Sequence, residues 1–92
     1  MTGNKRSKVD IYSAILESIY REDGQLGNAS PTRVAHRANI PYDRFQKIIG
    51  TFLELKLVKR TDQGLLITEK GIDCLNQIRK TNEFLRRMGL SV

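Results

Sequence analysis

The stretch SPTRVAHRANIPYDRFQKIIGTFLELKL, Ser30 to Leu57, reads as two helices joined by a tight turn. Ser30 can cap the free N–H groups of the first, and Pro31 stands at the first helical position, where its missing N–H costs nothing. Val34, Ala35 and Ala38 give that helix a buried stripe at i, i+1, i+4 spacing, and the helix ends near Ala38. Asn39 tolerates the left-handed backbone that terminates a helix, and Ile40 can plug the corner. Pro41 then opens a second helix to about Leu55, with Phe45, Ile48, Ile49, Phe52 and Leu53 on one face. Opposite them lie Asp43, Lys47 and Gly50, flanked by Arg44 and Gln46. The pattern predicts a helix-turn-helix.

Outward from this stretch the other elements follow. Ser7-Lys8-Val9-Asp10 has the spacing of a capping box. It opens a first helix running to about Glu22, with Ile11, Ala14, Ile15, Ser18 and Ile19 as its stripe and Tyr12, Leu16 and Tyr20 widening it. Arg21 to Ala29 is a connector with Gly24 and Gly27, and its Leu26 is expected to tuck into the core. Leu57–Thr61 and Leu65–Thr68 are strands around the turn Asp62-Gln63-Gly64. Thr68 then caps a last helix from Glu69 to about Met88, ~30 Å long. Ile72 is expected on the wing and first helix. Leu75, Ile78, Asn82 and Leu85 follow the 3-4-3 steps of a coiled-coil seam, and Phe84, Met88 and Leu90 add an apolar cluster that would otherwise lie exposed. Asn82 either sets the register of that seam or faces solvent. The fold class is mainly α with a small β-hairpin. Three segments result: a basic arm over residues 1–7, a winged helix-turn-helix over 8–68 and a dimerisation helix over 69–92.

The chain has 92 residues and a formal charge of +6, which points to a polyanionic partner. Arg33, Arg37, Arg44, Lys47, Lys56, Lys59 and Arg60 cluster around the motif against only Asp43 and Glu54. A single cysteine, Cys74, excludes an internal disulfide and makes an intracellular home the default, and a DNA-binding role there would place the protein in the cytoplasm with the nucleoid. A buried inert thiol suits its mid-helix position. No apolar run approaches a membrane span, and no signal-peptide pattern is seen. The two connector glycines lack the Lys-Ser or Lys-Thr pair of a phosphate loop. One histidine, His36, and one distant cysteine cannot furnish a metal site, and no nucleophile–base set can be assembled. No enzyme activity, cofactor or small-molecule substrate is expected, and Glu22-Asp23 reads as a solvated acidic pair.

The run ANIPYDRFQKIIGTFLELKLVKRTDQGLLITEKGIDCL, Ala38 to Leu75, resembles the archaeal one-domain winged-helix DNA-binding proteins. That group includes the small ten-kilodalton chromatin proteins that dimerise through a long C-terminal helix, and related transcriptional regulators. The matching parts are Leu55-Lys56-Leu57-Val58 at the end of the recognition helix and Ile67-Thr68-Glu69-Lys70-Gly71 at the start of the last one. The first helix, KVDIYSAILESI, matches too. Two departures stand out: glycine is common in that family where Lys56 stands here, and the connector is longer than in the shortest members. The resemblance implies a dimeric DNA binder.

In such a fold the second helix of the motif enters the major groove of duplex DNA, and side chains near its N-terminus reach base edges. Asp43, Arg44, Gln46 and Lys47 suit that task, since Arg and Lys pair with guanine, Gln with adenine, and an acid accepts from cytosine. Asp43 can instead serve the helix dipole, and Tyr42 either donates to a phosphate or packs on Phe45. Gly50 either allows close backbone approach or has no role. Arg33 and Arg37, with Lys59 and Arg60 on the wing, are candidates for phosphate contacts, as are Lys5, Arg6 and Lys8 in the arm. Leu75, Ile78, Asn82, Phe84, Leu85 and Met88 are the candidate dimer contacts. The mixed face favours a sequence-dependent transcriptional regulator over a general architectural protein, and a protein-interaction module is the rival from another class.

Overall fold

A computed structural model describes residues 7–90 of the chain. In order they form α1 (Lys8–Ile19), α2 (Pro31–Ala38), α3 (Tyr42–Glu54), β1 (Val58–Thr61), β2 (Gly64–Ile67) and α4 (Glu69–Arg87). The basic arm lies outside the described residues except for Ser7. Ser7 closes a capping box: its hydroxyl accepts from the Asp10 N–H at 3.1 Å, and the Asp10 carboxylate accepts from the Ser7 N–H at 3.3 Å. Ser30 and Thr68 cap α2 and α4 with their hydroxyls alone, accepting from the N–H groups of Arg33 and Gly71.

Three helices end on one device. One or two residues past each end the backbone turns left-handed: Asn39 at φ 59, Lys56 at φ 62 and Gly89 at φ 75. The next N–H then reaches back to the carbonyl five residues earlier, in the pairs Ile40–Ala35, Leu57–Phe52 and Leu90–Leu85, at 3.0, 2.9 and 2.8 Å. This satisfies carbonyls the helix would leave orphaned. Glycine adopts that conformation freely and asparagine tolerates it, whereas lysine is strained there by about 1–2 kcal/mol. The glycine that the family resemblance leads one to expect at the position of Lys56 would thus have a physical reason.

The core gathers Ile11, Ile15, Leu16 and Ile19 from α1, Val34, Ala35 and Ala38 from α2, and Phe45, Ile49 and Phe52 from α3. Ile40, Leu57, Val58, Leu65, Ile67 and Leu75 complete it, with Ala29. Each large apolar side chain so buried contributes roughly 1.5–3 kcal/mol. Tyr12 meets Phe52 edge to face, with ring centroids 5.5 Å apart. α1 packs against α2, α4 and β2, while α3 packs against α2 and β1.

The hairpin pairs β1 and β2 antiparallel, Thr61 opposite Gly64 and Val58 opposite Ile67, around the two-residue turn Asp62-Gln63. The Thr61 hydroxyl accepts from the N–H groups of Gln63 and Gly64 and donates to the carbonyl of Gly27. A third, single-residue strand is added by Ala29, which exchanges both backbone hydrogen bonds with Leu65 at 2.8 and 3.2 Å. A Cβ on Gly64 would overlap the Ala29 carbonyl oxygen, so glycine permits this pairing.

The connector departs from expectation. α1 stops at Ile19, because Glu22 and Asp23 leave the helical backbone inside a wide turn over Tyr20–Gly24, and Asp23 takes φ 67. Tyr20 is 39% exposed rather than part of the buried stripe, and Leu26 is 73% exposed rather than in the core. The chain spends its inward position on Ala29 instead.

Candidate nucleic-acid interface

The interface rests on how firmly α3 is held at its far end. Thr68 lies with its hydroxyl 2.7 Å from the Lys56 carbonyl oxygen and 3.0 Å from that of Leu57, and its N–H donates to Leu57 as well. The Lys70 ammonium donates to the Leu55 carbonyl at 2.9 Å. A Cβ on Gly71 would overlap the Leu57 carbonyl oxygen, so only glycine allows α4 to start this close to the end of α3. The Ile67-Thr68-Glu69-Lys70-Gly71 run is therefore a clamp that fixes α3, the root of the wing and α4 together.

Phe45, Ile49 and Phe52 turn inward from α3, with Ile48 and Leu53 partly buried beside them. Tyr42, Asp43, Arg44, Gln46 and Lys47 are all exposed. The ring of Tyr42 packs on Phe45, with centroids 5.8 Å apart. Asp43 lies in the first turn of α3, which has no side-chain cap, so its charge also suits the helix dipole. A Cβ added at Gly50 would meet nothing within 4 Å, so that position is open on its outer side. On the wing, Lys59 and Arg60 are exposed.

The cations divide into two sets. Arg44, Lys47, Lys59 and Arg60 form no ion pair with any described residue. Arg33 and Arg37 differ. Arg37 Nε lies 2.9 Å from Glu22 Oε2, and Arg33 Nη1 lies 4.0 Å from Glu22 Oε1. Glu22 is accordingly not a solvated loop acid; its side chain is only 18% exposed. Arg37 also shares a groove with Tyr20, Arg21 and Arg79, which groups it with α1 and α4 rather than with the open face of α3. Sequence reasoning missed this, because the pairing spans fifteen residues and no local spacing announces it.

Along α4, Leu75 is 2% exposed and belongs to the core of its own chain. Ile78, Asn82 and Leu85 are half-buried, and Phe84, Met88 and Leu90 are 58%, 59% and 64% exposed. Ile72 and Cys74 pack partly against the core. Arg79 Nη2 reaches Glu17 Oε1 at 3.5 Å, where Arg21 also pairs at 3.0 Å. Burial pulls the Glu17 carboxyl up, but the two arginines outweigh it and hold the group below its ordinary value of 4.5. His36 is exposed beside Glu22, Thr32, Arg33 and Arg37. Among the described residues no cluster of metal-ligating groups occurs, and no helix is long and apolar enough to cross a membrane.

With that geometry in view, the sequence profile of the winged helix-turn-helix family matches residues 5–86. A comparison with curated proteins finds no match.

Proposed function

The chain is a member of the winged helix-turn-helix family, a DNA-binding domain type, and from that premise we propose that it is a sequence-dependent transcriptional regulator. It acts as a homodimer, with α3 in the major groove of duplex DNA and the wing on the adjacent backbone. The observation that carries this reading is the free charge of one face. Arg44 and Lys47 on α3, with Lys59 and Arg60 on β1, are exposed and form no ion pair with a described residue. The six other arginines among the described residues, Arg21, Arg33, Arg37, Arg79, Arg86 and Arg87, are all ion-paired. Unpaired cations on a projecting helix and hairpin suit phosphates and guanine edges, with counterion release supplying much of the affinity.

Asp43, Arg44 and Gln46 side by side favour base discrimination over uniform packaging, because an acid on the reading face repels phosphates. The second copy is taken up by the far half of α4, where Phe84, Met88 and Leu90 extend the half-buried line Ile78, Asn82, Leu85.

Selection of bound duplexes from a random pool, followed by titration of one selected site and one random duplex at fixed salt, tests the proposal. A specific regulator should prefer its site by ~10³ or more. A ratio below about ten would mean general architectural binding. Arg44→Glu with Lys47→Glu should lower duplex affinity by about 100-fold and flatten its salt dependence, whereas Arg86→Glu should change little. Unchanged affinity after both reversals would refute this face and leave a protein-docking surface as the better reading. Gly50→Ala sharpens the test: alanine is about 1 kcal/mol better in a helix, so weaker duplex binding by a more stable protein would mean that the backbone approaches DNA there.

A further inference from the structure

Opposite charges behave differently on α3 than on the neighbouring helices. Beside α1 and along α4, acids and arginines three or four residues apart close on each other: Glu17 with Arg21, and Glu83 with Arg86 and Arg87. On α3 the same spacing separates Asp43 from Lys47, with the acid on the N-terminal side, the favourable order for such a pair. Yet both are exposed, and neither forms an ion pair with a described residue. Arg44, next to Asp43 in the chain, is open as well. The outward residues of α3 fall into two rows, each stepping by three and then four. Arg44, Lys47 and Thr51 run along one flank, and Asp43, Gln46 and Gly50 along the other, all turned from the buried Phe45, Ile49 and Phe52. The first row opens with two cationic donors. The second opens with a carboxylate, which when ionised can only accept.

We infer that Asp43 fixes the identity and orientation of one G·C pair: its carboxylate accepts from the N4 amino group of cytosine, while Arg44, in the other row, takes the guanine. The inference rests on the DNA-binding reading above and adds which base is chosen, and by which residue. Charge rules out phosphate as the partner of Asp43. In the major groove guanine and thymine present acceptors and no donor, so each repels a carboxylate. Adenine presents its N6 donor beside the N7 acceptor. Cytosine alone presents a donor with no acceptor next to it on the same base. The O6 and N7 atoms of its guanine partner are what a guanidinium binds with two parallel hydrogen bonds. The acceptor row and the donor row thus match the two sides of one base pair. Reversing that pair would set the carboxylate against O6 and N7 and the guanidinium against an amino group.

Selection of duplexes from a random pool by the full-length wild type and by Asp43→Asn, followed by titration of single-base variants of the selected site at fixed salt, tests the inference. The wild-type site should hold a position where cytosine is preferred over each other base by about tenfold or more. In Asp43→Asn the side chain offers a donor as well as an acceptor, so cytosine should lose that lead to adenine while every other position keeps its base. Affinity for random duplex should rise by about threefold, because an anion leaves the face. Glu54→Gln removes the other exposed acid of α3 and should give a similar rise with the selected site unchanged. Arg44→Gln should relax the preference for guanine at the same base pair. The inference is overturned if Asp43→Asn keeps the wild-type preference at every position, which would leave Asp43 to the helix dipole. It is overturned too if Glu54→Gln shifts base preference as much as Asp43→Asn, or if the wild-type site contains no G·C pair. A wild type that binds no duplex, or all duplexes alike, would instead refute the reading on which this one rests.

Discussion

The two halves of α4 share one helical rise and one apolar repeat, yet they live in different surroundings. From Glu69 to Ile78 the helix is part of the body: Gly71 lies against the end of α3, and Leu75 is sealed in the core. Beyond Arg79, which pairs with Glu17 of α1, the apolar side chains Phe84 and Met88 lie open, and so does Leu90 just past the helix. A hydrophobic repeat records that a residue wants cover, not which molecule provides it.

The largest effect that separates the halves is expected at Leu75. Leu75→Ala should cost about 2–5 kcal/mol in denaturant unfolding, because it opens a cavity in a closed core. Gly71→Ala comes next, at about 1–3 kcal/mol, since the new methyl group collides with the backbone of Leu57. Lys56→Gly acts on the same clamp with the opposite sign. Relief of the left-handed strain, less the entropy of an added glycine, should raise stability by about 0.5–1 kcal/mol. In the far half, Phe84→Ser with Met88→Ser should leave the unfolding free energy of the subunit within ~0.5 kcal/mol of wild type. The same double variant should sediment as monomer; an unchanged dimer mass would move the subunit contact elsewhere.

The smallest effect lies at the border between the halves. Glu17 has a depressed carboxyl pKa, so its pairs with Arg21 and Arg79 contribute in full above the ordinary value of 4.5. That contribution is lost as the pH falls through the lower, folded-state value. Glu17→Gln should therefore be slightly less stable than wild type at pH 7, and thermal melts of the two should converge in acid. A gap that persists at low pH would mean that the ion pairs are not its source.

Legibility in the sequence followed the range of the interactions. Caps, breaks and stripes are local, so Ser7, Ser30, Asn39 and Thr68 announce helix boundaries that the fold reproduces to the residue, whereas the end of α1, which no cap marks, falls three residues early. The exposed face of α3 was readable for the same reason, being the complement of a regular apolar stripe. What could not be read depends on distant partners. A single-residue strand has no period, so Ala29 gave no sign of pairing with Leu65, and Leu26, the larger apolar residue nearby, was the more obvious candidate for burial. Glu22 looked solvated because Arg37 stands fifteen residues away. Leu75 matched a seam because core and interface ask for the same side chain at the same spacing.

In the proposed dimer the junction at Thr68 would make the protein a ruler. One threonine grips the carbonyls at the base of the hairpin and also starts the long helix, so the end of α3 and the start of α4 are tied at a single point. One residue inserted after Arg79 would advance the far end by ~1.5 Å and swing it by about 100°. Two heads joined through that end would lose phase with the duplex at once. In such a dimer, tolerance for variable gaps between half-sites would have to come from bending or twisting of the nucleic acid.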